Sequence, residues 1–246
     1  MAITRYQTCG DIVNRVAVEV GLRETSDVFA SSDDAIIQLR TLLTTTLQEL
    51  MLLHPWQRLI REFQYTTGTS ESGPLDLPDD FAYMIPQTGW ERSSNVPLIG
   101  PLAPQAWTYL LGRDLVGSTI YASFRFDQDK FYVYPSTPMP DALDINFEYV
   151  SRNLIADDGA TTYSDVATVH ADVVVLPIHV VTRLLKVKFL DAKGFDTQKA
   201  TNEYNMALDS EIGKDNSGGI LTVGKNRFGG YYLDGFRNTP DTGFGT

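Results

Sequence analysis

The sequence predicts an α+β protein: a four-helix bundle with an inserted antiparallel β-sandwich-like domain and an extended C-terminal arm. Three observations predict it. Hydropathy alternates with a period of two through much of residues 118–152, as half-buried strands require. On either side, over 11–54 and 177–213, apolar residues recur at intervals of three and four, the helical period. Residues 216–246 hold no sustained period, and there the glycines from Gly218 to Gly245 are interspersed with Phe228, Tyr231, Tyr232, Phe236 and Phe244.

In chain order, Ile12, Val13, Val16, Ala17 and Val20 share one face of a first helix over 11–20, with Thr8 and Asp11 as caps and Gly21 as its stop. Ser31 to Asp34 open a longer helix in which Ile36, Leu39, Leu43, Leu47, Leu50 and His54 form the stripe and Pro55 ends the run. Thr44, Thr45 and Thr46 lower its intrinsic helicity, so packing has to hold it. From Trp56 the period changes to two, with Leu59, Arg61, Phe63 and Tyr65 opposing Ile60, Glu62 and Gln64 in a strand that ends at Thr67-Gly68.

The stretch 73–81 reads as a short edge strand and a proline-bounded turn, followed by a strand near 82–88 and then Trp90. Leu98 and Ile99 are expected to pair briefly, and Pro104 to open a short helix through Trp107 that stops at Gly112. Ile120, Ala122, Phe124 and Phe126 then oppose Tyr121, Ser123 and Arg125, and the chain turns at Asp127-Gln128-Asp129 and returns over 131–134 as a hairpin. A third run places Ile145, Phe147 and Tyr149 on one face and Asn146, Glu148 and Val150 on the other. It is expected to complete a three-stranded meander with one face buried and the other largely wet.

After a polar loop near Asp157-Asp158 comes an apolar run, 170–176, and then Pro177. Proline inside a helix costs roughly 3 kcal/mol, which places Pro177 in the first turn of a helix over 177–193 that buries Val180, Val181, Leu184, Leu185 and Phe189 and ends at Gly194. Asp196 caps a fourth main helix with Ala200, Tyr204, Ala207, Leu208 and Ile212 on one side, closed by Gly213. The expected divisions are therefore a bundle half over 1–56, an inserted β-domain over 57–169, the second bundle half over 170–215 and the arm over 216–246. Such a tail builds no core alone, yet its aromatic rings are costly to leave in water. It is expected to order against a neighbouring subunit or partner, through Phe228, Tyr231, Tyr232, Phe236 and Phe244.

With 31 acidic and 20 basic residues the net charge is −11. That argues against nonspecific capture of nucleic acid, which lysine and arginine drive by displacing counterions from phosphates, but it allows a wall past which DNA slides. Cys9 is the only cysteine, so no disulfide within the chain and no multi-thiolate zinc site can form. His54, His170 and His179 lack ligand spacing, and each has a structural place: His54 at a helix C-terminus, His179 in a first turn. The opening residues lack the apolar core of a signal peptide, and the chain is expected to act in the cytoplasm or in an assembly built there.

No nucleotide-binding, nucleophile-elbow or zincin motif occurs, and no catalytic, cofactor or metal residue is nominated. Asp33-Asp34, Asp79-Asp80 and Asp157-Asp158 offer paired carboxylates of the kind a polysaccharide hydrolase uses. A cap, a turn and a loop account for them as well. Trp90 and Trp107 offer platforms for a glycan- or receptor-binding module, although the core or rim of the sandwich accounts for them as well, and Trp56 fits packing at a helix-to-strand junction.

Several stretches, in this order, resemble the head-to-tail adaptor (connector) proteins of tailed bacteriophages, of the tail tubular protein A or tail accessory adaptor type found in short-tailed phages. They are Leu75-Asp76-Leu77-Pro78-Asp79-Asp80-Phe81 with Trp90 behind it, Trp107, Phe124-Arg125-Phe126 with 131–135, Phe147-Glu148-Tyr149-Val150-Ser151, and Ala192-Lys193-Gly194-Phe195-Asp196. The resemblance covers roughly residues 5–215 and implies a ring of twelve copies docked beneath the portal protein, joined below to a tail or nozzle protein. It further implies genomic DNA passing through the middle without specific binding, a place in the virion neck at the head vertex, and assembly in the host cytoplasm.

Overall fold

A computed structural model of the chain describes residues 7–216, apart from 72, 94, 113–122, 135–138, 140 and 160. The chain divides into two units, Met1–Asp215 and Asn216–Thr246, and nearly all described residues belong to the first. The expected C-terminal arm lies outside the described residues apart from Asn216.

Helix α1 (Cys9–Glu19) begins where Thr8 Oγ1 accepts the Asp11 N–H at 3.0 Å, so the cap the sequence offers is used. Gly21, at φ +82°, turns the chain out of it, with the Leu22 N–H bonded back to the Ala17 carbonyl at 2.8 Å. Helix α2 (Asp34–Leu53) is capped by Asp33 and buries Ile36, Leu39, Leu43, Leu47 and Leu50. Its threonines donate back along the helix: Thr45 and Thr46 hydroxyls both reach the Leu42 carbonyl, at 2.9 and 2.7 Å. Trp56 follows directly, fully buried, its indole N–H donating to the Leu50 carbonyl at 2.7 Å. This bond locks the end of α2 to the chain entering the first strand.

The strands are β1 (Ile60–Thr66), β2 (Leu75–Asp76), β3 (Phe81–Met84), β4 (Trp90–Glu91), β5 (Val96–Pro97), β6 (Ser123–Asp127), β7 (Lys130–Tyr134) and β8 (Asp144–Ser151), with helix α3 (Pro104–Gly112) between β5 and β6. Three more pieces, β9 (Ile155–Ala156), β10 (Tyr163–Ser164) and β11 (Val173–Val174), precede helices α4 (Ile178–Ala192) and α5 (Gln198–Asp215). Among the described residues this makes five helices and three antiparallel sheets, an α+β fold.

The hairpin β6–β7 forms as the sequence predicts, but its third strand is β2, giving the order β2-β7-β6. β8 does not complete a meander. It is the centre of a second sheet, bonded along one edge to β1 over the full register Ile60↔Val150 to Thr66↔Asp144 and along the other to β3 and β4. Nor is its second face largely wet, since Asn146 and Val150 are buried there and only Glu148 is exposed. A strand paired on both edges and packed against helices loses the clean alternation of an edge strand.

Two cores result. Phe63 of β1 and Phe147 of β8 stack at 4.6 Å, and Phe131 of β7 meets Phe147 at 5.3 Å and Phe124 of β6 at 5.4 Å. The two sheets thus share one aromatic core. On the opposite face of β8, Val150 joins α1, α2, α4, Trp56, Leu59 and β11 in the second core. Beyond β8 the chain forms the small sheet β10-β9-β11, and residues 7–8 run along the outer edge of β11 through a Thr8↔Val173 bridge and a bond from the Val174 N–H to the Gln7 carbonyl.

Pro177 stands at the N-cap of α4, and Gly194, at φ +75°, ends that helix's C-terminal turn. The expected core residues Val180, Val181, Leu184, Leu185 and Phe189 are all buried. In α5, which Asp196 caps through the Gln198 N–H at 3.0 Å, no residue is fully buried. Tyr204, Leu208 and Ile212 pack half-covered against the core. Gly213 does not close this helix. Space around it is open and the helix runs to Asp215, where side-chain bonds outweigh the roughly 1 kcal/mol helical penalty of glycine.

Candidate functional site

One carboxylate of each pair is engaged in the fold. Asp33 caps α2. Asp80 accepts from the Tyr149 hydroxyl at 2.9 Å and from the Ser151 hydroxyl at 2.6 Å, tying the turn after Pro78 to β8. Burial, and then the bond to Asp80, push the Tyr149 phenol up to about 12. Asp157 accepts from the Thr161 hydroxyl at 2.6 Å and from the N–H groups of Thr161 and Thr162, and these bonds lower its carboxyl to about 2. Held so low, it stays ionised at neutral pH and has no proton to give.

The histidines are apart. His54 Nε2 lies 3.2 Å from Asp215 Oδ2. His170 takes the Val28 N–H at 3.4 Å on Nδ1, its ring lying against Gly10, and His179 is exposed in the first turn of α4. Cys9 is buried, and that burial, with Asp172 nearby, pushes its thiol up to about 12, so it is unreactive at neutral pH. Among the described residues no group of three or more His, Cys, Asp or Glu could hold a metal ion, and no helix is long and apolar enough to cross a membrane.

The tryptophans separate in role. Trp107 is 6% exposed and meets the rings of Tyr132 and Tyr134 edge-on at 6.3 and 6.4 Å. It anchors α3 to β7 and offers no free platform. Trp90 is 37% exposed and pairs with Asn146, which on its other side pairs with Gln64. Gln64, Asn146 and Trp90 therefore form one rung across the outward face of the sheet. On the same face Glu62 stands directly opposite Glu148, and the Arg92 guanidinium reaches Glu62 at 3.4 Å.

A cleft of about 610 Å³ opens between the first turn of α1, the start of β1 and the small sheet. Its floor is the rung Tyr163–Ala156–Val173. Arg58 and Arg61 stand against Asp11, Asp157 and Asp158, with the Arg61 guanidinium 5.8 Å from the centre of the Tyr163 ring. Such mixed charge over a small apolar floor suits a peptide segment better than a phosphate, which three carboxylates repel. Sequence reading missed this cleft because its walls come from residues tens of positions apart, and no local spacing marks them.

The five aromatic residues expected to carry partner contact, Phe228, Tyr231, Tyr232, Phe236 and Phe244, lie outside the described residues. Within them, Leu52 and Leu53 at the end of α2, Tyr109 and Leu111 on α3, Phe195 between α4 and α5, and Met206 on α5 are exposed. A family model described as SU10 adaptor protein matches residues 7–223. No curated protein matches the chain.

Proposed function

Because the chain belongs to the SU10 adaptor protein family, it is a structural adaptor of a bacteriophage virion at the junction of head and tail, and we propose that it works there as a ring docked under the portal protein. In this reading twelve copies close through heterologous contacts, α1, α2, α4 and α5 form the bundle, and the two sheets that share the aromatic core form a sandwich-like insert. The ring joins the portal above to a tail or nozzle protein below, in a phage of the short-tailed type. The family match over most of the chain carries the proposal. Charge supports it: an excess of 11 carboxylates per copy around a pore gives the genome nothing to adhere to during ejection.

Residues 217–246 then serve as the arm that reaches a neighbouring subunit or the portal, through Phe228, Tyr231, Tyr232, Phe236 and Phe244. No catalytic step is assigned to the chain. One member of each carboxylate pair supports this, since Asp33, Asp80 and Asp157 are bonded into a cap, a turn and a loop. Negative-stain images of the purified chain mixed with its phage's portal protein test the proposal. Rings stacked coaxially on portals are expected, and portals that remain bare at saturating concentrations overturn it.

A further inference from the structure

The outward face of the sheet β1-β8-β4 combines two features that a polar surface does not ordinarily retain. Glu62 and Glu148 are placed directly opposite one another in the β1–β8 register, an arrangement of like charges that weakens a sheet. Arg92 pairs with Glu62 at 3.4 Å, while no ion pair forms to the Glu148 carboxylate among the described residues. One rung away, Asn146 is 1% exposed between Gln64 and Trp90. Its amide nitrogen donates to Asp144 at 3.2 Å, and its oxygen has no donor among the described residues. Buried polar atoms in folded proteins are nearly always bonded. Glu62, Asn146 and Glu148 line one depression of about 330 Å³, with Thr88 and Arg92 at its side.

We propose that this depression is a docking site for a lysine or arginine side chain of another protein of the particle. The claim rests on reading the chain as a virion adaptor. A cationic head group supplies both missing elements at once: a counter-charge for Glu148 and an N–H donor for the Asn146 oxygen. A bare divalent ion fits less well. With Glu62 already held by Arg92, the oxygens of Glu148 and Asn146 fall short of the six to eight that calcium takes. Nucleic acid is repelled, because Glu62, Asp144 and Glu148 outnumber Arg92 on this face.

The test reverses the charge. Particles are assembled with Glu62→Lys plus Glu148→Lys, and copies per particle are counted by quantitative mass spectrometry. A control reverses two exposed acids elsewhere, Glu24→Lys plus Asp209→Lys, with the same change in net charge. The expected result is at least a tenfold loss of incorporation for the first pair and near-normal incorporation for the control. Circular dichroism confirms folding. Should the reversed pair not fold, Glu62→Gln plus Glu148→Gln takes its place and is expected to lower incorporation in the same direction. Incorporation equal to wild type, or an equal loss in both pairs, overturns the docking site. Failure of the wild-type chain to join particles at all would instead remove the adaptor reading beneath it.

Discussion

Asp215, the last residue of α5, is bound to His54, the residue that ends α2: His54 Nε2 lies 3.2 Å from the carboxylate, and the same oxygen accepts the Gln57 N–H at 3.0 Å. Both side chains are largely covered. The first unit ends at this clasp.

Asp215→Ala leaves the Gln57 N–H and the His54 ring without their acceptor. A part-buried group that loses its partner costs about 1–3 kcal/mol. The expected outcome is a fall of several degrees in Tm, measured by scanning calorimetry, with helix content kept. Asp215→Asn, which keeps an acceptor oxygen, is expected to recover part of the loss.

A Cβ built on Gly10 would sit 2.1–2.2 Å from three atoms of the His170 ring. Gly10→Ala must therefore displace an imidazole that lies against α1 and takes the Val28 N–H. Overpacking of this kind costs about 1–3 kcal/mol. Replacing His170 by Ala as well is expected to relieve most of that strain, so denaturant melts of the two single variants and the double should show a non-additive cycle.

Asp157 contributes stability with a definite pH sign. Its carboxyl is lowered from the usual aspartate range to about 2, because the Thr161 and Thr162 bonds favour the ionised form. Its contribution is complete above the unfolded value and fades as pH falls toward and through the folded one. Wild type and Asp157→Asn are thus expected to differ in Tm near pH 6 and to converge near pH 2, and carboxyl-carbon NMR should place the midpoint near 2.

Deleting residues 217–246 is expected to leave the first unit folded, with unchanged far-ultraviolet circular dichroism, because its two cores are built from described residues before 217. The same deletion is expected to abolish association with portal or neighbouring subunit in a pull-down. Normal association would retire the arm.

Local elements were legible because their signals are local. Thr8, Asp33 and Asp196 cap their helices where the sequence offers them, and the hairpin turns at Gln128 and Asp129, both at positive φ. Strand partners were not. β8 pairs with β1, some eighty residues earlier, and nothing within a window of the sequence reports a contact across that separation. The burial of Asn146 was equally hidden, since neighbours on two other strands, Gln64 and Trp90, flank it. The small sheet of β9, β10 and β11 escaped because two-residue strands carry no period. The cleft at Arg58 and Arg61 escaped with it.

β8 gives Phe147 to the aromatic core and Val150 to the helical one. Neither half of the first unit owns that strand. Loosening of α2 or α4 would therefore disturb the strand to which β1, β3 and β4 are stitched. The sheet and the helices of that unit are thereby coupled through a single strand.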